Sequence, residues 1–353
     1  MEKGLLMDLR TRRRRIALVA AGLTATLSLA ACASTSGGSG AASTGAKKSV
    51  TLSLVAYSTP QAAYQKIIAA FQKTAAGSNV KFTQSYGASG DQSRAVEAGL
   101  PADFVEFSLE TDMTRLVKAN IVAPTWNSDQ YKGNITDSVV ALVVRKGNPK
   151  NIHTFADLTK KGVDVITPNP FSSGSARWNI MGIYGSETQT GKSATQATAF
   201  LTKVLKNVSV QDDSGRAALQ TFTGGKGDVL ISYENEAIFA QQNGQAVDYV
   251  IPDQTLLIEN PAAITSTTKH PKEAKAFLDF VHSQAAQKIF AENGYRPVVN
   301  GADTAGQKFP TPPGLFTIQD LGGWDAVAKQ YFDVDKGVVT GIERSLGVSV
   351  EKK

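Results

Sequence analysis

The sequence predicts an α/β protein of two lobes, on three observations. From Val50 onward, short β-rich runs alternate with helical patterns, the order that parallel sheets with crossover helices require. The patterned body is about 300 residues long, more than one hydrophobic core usually holds. The composition is globular, since 42% hydrophobic and 19% charged residues in a chain of 353 exclude disorder throughout.

The N-terminus comes first. Arg10 and Arg12 to Arg15 form a basic stretch ahead of Ile16–Ala30, an apolar run of 15 residues. That run is too short and too alanine-rich to span a bilayer comfortably, so residues 1–31 read as a signal peptide. It ends in Leu29-Ala30-Ala31-Cys32, which resembles the lipobox of bacterial lipoproteins, where cleavage precedes the cysteine and its sulfur is acylated. The general secretory route fits, and the residues around the arginine run match a twin-arginine signal poorly. Residues 32–49 (CASTSGGSGAASTGAKKS) have almost no apolar surface to bury and form a flexible tether. A coil of about 17 residues holds the folded body on the order of 20–25 Å from a membrane face.

Charge and cysteine content narrow the function classes. The formal charge is +6, but residues 1–31 carry six cations against two carboxylates, which leaves the rest near +2. That is too even a balance for affinity resting on phosphate neutralisation, so nucleic acid is not an expected partner. Cys32 is the single cysteine and the histidines number three, His153, His270 and His282. An intramolecular disulfide is excluded, and neither a metal site nor a cofactor is expected.

The strands are expected at 50–56 (VTLSLVA), 80–84 (VKFTQ), 102–107 (ADFVEF), 138–145 (SVVALVVR), 163–166 (VDVI), 208–210 (VSV) and 228–232 (DVLIS). A helix is expected from Pro271 to Gly294, with Phe277, Phe280, Val281, Ile289 and Phe290 on one face. Gly294 stands where a helix-ending glycine belongs.

Three segments share a layout of strand, Ser/Gly cluster and helical pattern. They are Ser85–Gly90, Ser172–Ser175 and Asp213–Gly215. A helix start offers unpaired N–H groups and the positive end of its dipole, which suit an oxyanion. One such turn is an ordinary N-cap, whereas three in a two-lobed secreted chain can converge on one tetrahedral anion. The run Gly185–Ser193 has five residues between its glycines where a phosphate-binding loop has four, and Gly224–Gly227 lacks the hydroxyl residue after Lys226. No G-x-S-x-G elbow occurs and no histidine is assigned as base to a serine, so a surface-anchored sulfate or phosphate ester hydrolase is the weaker reading and no enzyme is expected.

The strings VRKGNPKNIHTFADL, VITPNPFSSGSARWN, GDVLISYENEA, YRPV and LFTIQDLGGW together resemble the sulfate-binding proteins of bacterial ABC importers, some of which take thiosulfate. The resemblance runs from about Val50 to about Phe332. It implies a type II periplasmic-binding-protein fold with parallel-type sheets and two hinge crossings, one lobe built from 50–138 and 266–345 and the other from 139–265. It further implies an anion held by neutral donors alone. Carried over by motif, Ser89, Gly174, Ser175 and Gly215 would give backbone N–H groups, and Ser173 its hydroxyl. Tyr233 stands where the family has a tryptophan; a phenol can accept as well as donate, or it can pack against the lobe while water makes the contact. Arg94, Arg177 and Arg216 would pair with carboxylates and fix the loops, or lie on exposed helix faces. Ser58 and Thr59 depart from the family pattern, with Thr59 in a supporting place. The partners implied are sulfate, thiosulfate or molybdate as cargo, a permease with its ATPase, and a membrane reached through acylated Cys32. The chain would act outside the cytoplasm, as a monomer.

Overall fold

A computed structural model describes residues 49–351. The signal peptide, Cys32 and nearly all of the tether lie outside the described residues.

The chain opens with β1 (Val50–Tyr57), α1 (Gln61–Phe71), β2 (Val80–Gly87), α2 (Ser89–Glu97), β3 (Phe104–Glu106) and α3 (Glu110–Lys118). In α1 the buried residues Ala63, Tyr64, Ile67, Ile68 and Phe71 recur at helical spacing and seat the helix on the sheet. β1 pairs in parallel with both β2 and β3.

Next come β4 (Asn134–Arg145), β5 (Val165–Pro168), α4 (Gly174–Thr188), α5 (Ala194–Leu205), β6 (Val208–Asp212), α6 (Gly215–Thr223), β7 (Val229–Tyr233) and α7 (Glu234–Gln242). β5 pairs in parallel with β6 and β7. The chain finishes with β8 (Val247–Val250), β9 (Gln254–Ile264), α8 (Pro271–Val281), α9 (Gln284–Glu292), β10 (Arg296–Pro297), β11 (Gly314–Phe316), α10 (Gly323–Tyr331) and α11 (Val338–Ser345).

The two parallel groups belong to one sheet of order β2-β1-β3-β9-β4-β7-β5-β6. β4 and β9 join them. Residues 134–139 of β4 pair with β9, whereas 140–144 pair with β7; residues 257–261 of β9 pair with β4, and 262–264 with β3. All pairings of β9 with β3 and β4, and of β4 with β7 and β8, are antiparallel. The sheet is therefore mixed, parallel in its two flanks and antiparallel at its centre, rather than parallel throughout.

The expected helix over 271–294 is two helices. His282 ends α8, and Ser283 Oγ accepts from Ala286 N–H at 3.3 Å to start α9. A hydroxyl cap supplies the local bond that restarts the helix. Gly294 has φ +86° after α9, as expected of a C′ residue.

The C-terminal segment also departs from expectation. Phe316, Trp324, Val327, Tyr331 and Val339 pack in one core cluster with Val140, Trp178, Tyr184 and Leu201. Tyr184 and Tyr331 meet edge to face at 4.9 Å. The expected grouping of 266–345 with the first strands thus stops short of residues 314–345, which cover apolar surface of the second group. α8 and α9 do pack with the first group, through Phe277 and Phe290 against Tyr64 and Phe104.

Candidate anion-binding site

In a parallel group, each loop at the carboxyl end of a strand falls on the same edge, where a crevice forms. The register places Tyr57 beside Gly87 and Ala56 beside Glu106 in one flank, and Pro168 beside Asp212 in the other. At that edge lie Thr59, Ser108, Ser173 and Ser214 in the loops, Ser89 at the start of α2 and Tyr233 at the end of β7, and they meet across the sheet centre.

Five bonds make that meeting. Gly90 N–H donates to the Ser172 carbonyl at 3.2 Å. Trp178 Nε1 donates to the Ser108 carbonyl at 2.7 Å, and Tyr233 Oη lies 2.7 Å from Ser108 Oγ. Arg216 Nη2 donates to the Thr59 carbonyl at 3.0 Å, and Arg296 Nε to Glu234 Oε2 at 2.7 Å.

Within this junction the helix starts keep free donors. The N–H groups of Ser89, Gly174, Ser175, Gly215 and Arg216 find no acceptor among the described residues. Ser89 contributes only its N–H, because its hydroxyl donates to Asp112 Oδ2 at 2.6 Å and accepts from Ser108 N–H at 2.9 Å. Ser173 is the N-cap of α4, yet its hydroxyl makes no capping bond and has no partner among the described residues. Ser214 behaves conventionally and accepts from Ala217 N–H at 3.2 Å.

The glycines matter for approach. A Cβ on Gly174 would sit 2.8 Å from Ser108 Oγ, and one on Gly215 would sit 2.9 Å from Ser175 Oγ and 3.5 Å from Thr59 Cγ2. A side chain on Gly174 would wedge the two flanks apart, whereas one on Gly215 would press on Ser175 of its own flank and only touch Thr59 across the junction.

The tyrosine that replaces a tryptophan is wholly buried. Burial raises the Tyr233 phenol well above its ordinary value, against hydrogen bonds with Ser108, Ser175 and Asn260 that favour the phenolate. It stays a neutral hydroxyl.

The arginines divide. Arg94 pairs with Asp91 on its own helix. Burial works against the Arg216 cation, but the Glu236 carboxylate at 2.8 Å outweighs it and holds the pKa above the usual value. Arg177 departs from the expected carboxylate pairing, for its Nε donates to the Pro170 carbonyl at 2.8 Å while its guanidinium stacks over Phe332. Thr59 is anchored by its hydroxyl, 2.9 Å from Tyr295 Oη.

Sequence reasoning missed Ser108, Asp112, Glu236 and Tyr295. Ser108 carried a usable signal, since it directly follows a predicted strand as Ser85 does. Glu236 and Tyr295 lie within the strings GDVLISYENEA and YRPV, which could have flagged them, whereas Asp112 sits in a helix with no distinguishing pattern.

Residues 52–296 match the family of bacterial extracellular solute-binding proteins. The chain belongs to that family. It is 43% identical over 336 residues to a sulfate-binding protein of Synechococcus elongatus, covering 91% of this chain and 94% of that one. A thiosulfate-binding protein of Escherichia coli is 36% identical over 284 residues, covering 75% and 83% of the two chains. Among solved structures, the sulfate-binding protein SubI from Mycobacterium tuberculosis superposes with a TM-score of 0.78 at 45% identity, covering 80% of this chain and 100% of that one. The solute-binding chain therefore has the periplasmic-binding-protein fold.

Proposed function

We propose that this solute-binding protein captures sulfate outside the cytoplasm and delivers it to an ABC-type importer. The observation that carries the reading is the convergence of free N–H groups from α2, α4 and α6, with Ser173 Oγ, at a junction where Arg216 is already neutralised by Glu236. A dianion buried there without a cationic partner needs charge-assisted hydrogen bonds in place of its hydration, each about 1.5–3 kcal/mol. Sulfate is fully ionised at neutral pH and needs donors alone, so a donor cradle favours it over an anion that carries a proton. The names of the relatives quoted above support the same ligand class.

The two strand groups are the cores of two lobes that close on the anion. One comprises 50–138 with 266 to about 313, the other 139–265 with 314–345, and β4 with β9 is the joint. A monomer anchored through acylated Cys32 and its tether presents the closed form to the permease. The cradle residues are Ser89, Ser173, Gly174, Ser175 and Gly215, with Tyr233 hydrogen-bonding at its wall.

Isothermal titration with sulfate, thiosulfate, molybdate and phosphate, in buffers free of these anions, tests the reading. Tight sulfate binding that is flat between about pH 6 and 8, with phosphate silent, is expected. Phosphate binding that strengthens with its protonation would show Tyr233 or Ser108 accepting that proton. Silence with all four anions would overturn the transport function.

A further inference from the structure

Behind the cradle, Thr136, Asn260, Tyr233 and Ser108 form one chain of buried polar groups, and its direction is fixed at one end. Thr136 and Asn260 stand opposite each other on β4 and β9, the joint of the sheet, and both are fully buried. Thr136 Oγ1 donates to Asn260 Oδ1 at 3.3 Å, and Asn260 Nδ2 donates to the Ser108 carbonyl at 3.3 Å. A carbonyl only accepts, so the NH2 side of this amide faces Ser108 and its oxygen faces Thr136. Turning the amide round would set two buried oxygens against each other.

The same amide reaches Tyr233, whose hydroxyl is hydrogen-bonded by Asn260 as well as by Ser108 and Ser175. With its oxygen turned to Thr136, Asn260 meets the phenol as a donor, and the phenol has one proton to pass on. Ser108 Oγ, 2.7 Å from Tyr233 Oη, is placed to receive it. That oxygen also borders the cradle, because a Cβ on Gly174 would come within 2.8 Å of it. The main chain of Ser108 is held on both sides. Its N–H donates to Ser89 Oγ at 2.9 Å, and its carbonyl accepts from Trp178 Nε1 at 2.7 Å besides Asn260. Once Ser108 Oγ accepts from Tyr233, its own proton is left for the cradle.

We propose that Asn260 is a specificity-determining positioning residue, which polarises the chain from Asn260 N–H through Tyr233 O–H to Ser108 O–H so that the cradle meets its anion with a proton and not with a lone pair. Asn260 touches no anion itself and acts through Tyr233. The assignment rests on the sulfate reading above and deepens it, since it makes a tyrosine serve as the donor-only group that an indole would be. Monohydrogen phosphate brings a proton that then finds no acceptor, and it is refused.

Titration calorimetry of the full chain with sulfate and with inorganic phosphate at about pH 7 reads the preference between the two anions, which loss of mere support would leave unaltered. Asn260→Ala frees the phenol to accept from Ser108. It should weaken sulfate at least fivefold, bring phosphate into measurable binding and narrow the preference at least tenfold. Asn260→Asp sets an acceptor against the phenol and should narrow the preference further. Tyr233→Trp added to Asn260→Ala should restore the rejection of phosphate, because an indole N–H needs no orienting. Neutron diffraction on the unmodified protein with sulfate depends on no variant folding. The Tyr233 deuteron should lie toward Ser108 Oγ and the Ser108 deuteron toward the anion. Phosphate silent in both Asn260 variants, or a Tyr233 deuteron directed at Asn260, would overturn the assignment and leave the cradle standing. No sulfate binding by the unmodified protein would overturn the transport reading and this assignment with it.

Discussion

Tyr233 Oη and Ser108 Oγ lie 2.7 Å apart and tie the start of α7 to the end of β3. The two residues belong to different strand groups, so this bond exists only while the groups are together. Both side chains are buried. Tyr233→Phe would leave Ser108 Oγ buried without that partner, a cost of about 1–3 kcal/mol borne by the closed state alone. Sulfate affinity is therefore expected to fall by about five- to a hundredfold. Ser108→Ala should do the same, and the double variant should lose less than the sum, because removing both partners leaves no orphan. Strictly additive losses in titration calorimetry would show that the bond does not couple the two sides.

Much of this architecture was readable from the residues. All seven predicted strands are present, because each is a run of β-branched or aromatic residues bounded by turn residues. β9 was missed although it forms the joint, since its centre reads Glu259-Asn260-Pro261 and a proline argues against a central strand. The structure resolves this with a register shift in β4 between Asn134 and Thr136, opposite Pro261 and Asn260. The three Ser/Gly helix starts were visible from local chemistry. Their mutual contacts were not, because Gly90 with Ser172 and Ser172 with Asp213 join segments far apart in the chain, as do Ser108 with Tyr233 and Thr59 with Tyr295, 125 and 236 residues apart. The packing of residues 314–345 was hidden for a related reason. Their apolar residues show that the segment is buried, and periodicity does not say against which face.

Ser173 offers a clean separation of binding from stability. Its hydroxyl caps nothing and bonds to nothing among the described residues. Ser173→Ala should therefore leave the melting temperature of the anion-free protein unchanged. It should weaken sulfate by about 1.5–3 kcal/mol, the worth of a hydrogen bond to a charged acceptor. Calorimetry in the absence and presence of sulfate reads both quantities, and a drop in the anion-free melting temperature as large as the drop with sulfate would assign the hydroxyl a structural role.

Gly174 is in ordinary helical conformation, so alanine there carries no backbone strain. The added methyl meets Ser108 Oγ at 2.8 Å and Leu109 Cγ at 2.9 Å, both on the other side of the junction. Gly174→Ala should act as a wedge, costing about 1–3 kcal/mol of closure. The expected result is at least tenfold weaker sulfate binding with a nearly normal anion-free melting curve. Small-angle scattering with saturating sulfate should show a more open particle than the unmodified protein, and an identical profile together with unchanged affinity would remove Gly174 from the contact surface.

Glu106 makes the protein's stability depend on pH with a definite sign. Its carboxyl is fully buried on β3, and burial pushes its pKa up to about 8, with the Tyr64 hydroxyl opposing in part. In the unfolded chain it ionises near its ordinary value of 4.5. Between those values the folded state holds a proton that the unfolded state has released. The stabilisation is therefore complete below the unfolded value and is lost as pH rises through the folded one. Asp137, raised to about 8 by burial and by Glu259, contributes with the same sign. Glu106→Gln keeps a neutral, hydrogen-bonding side chain at every pH, so the variant should match the unmodified protein near pH 5 and melt progressively higher than it toward pH 9. A constant offset between the two melting curves across that range would mean that Glu106 does not hold its proton in the fold.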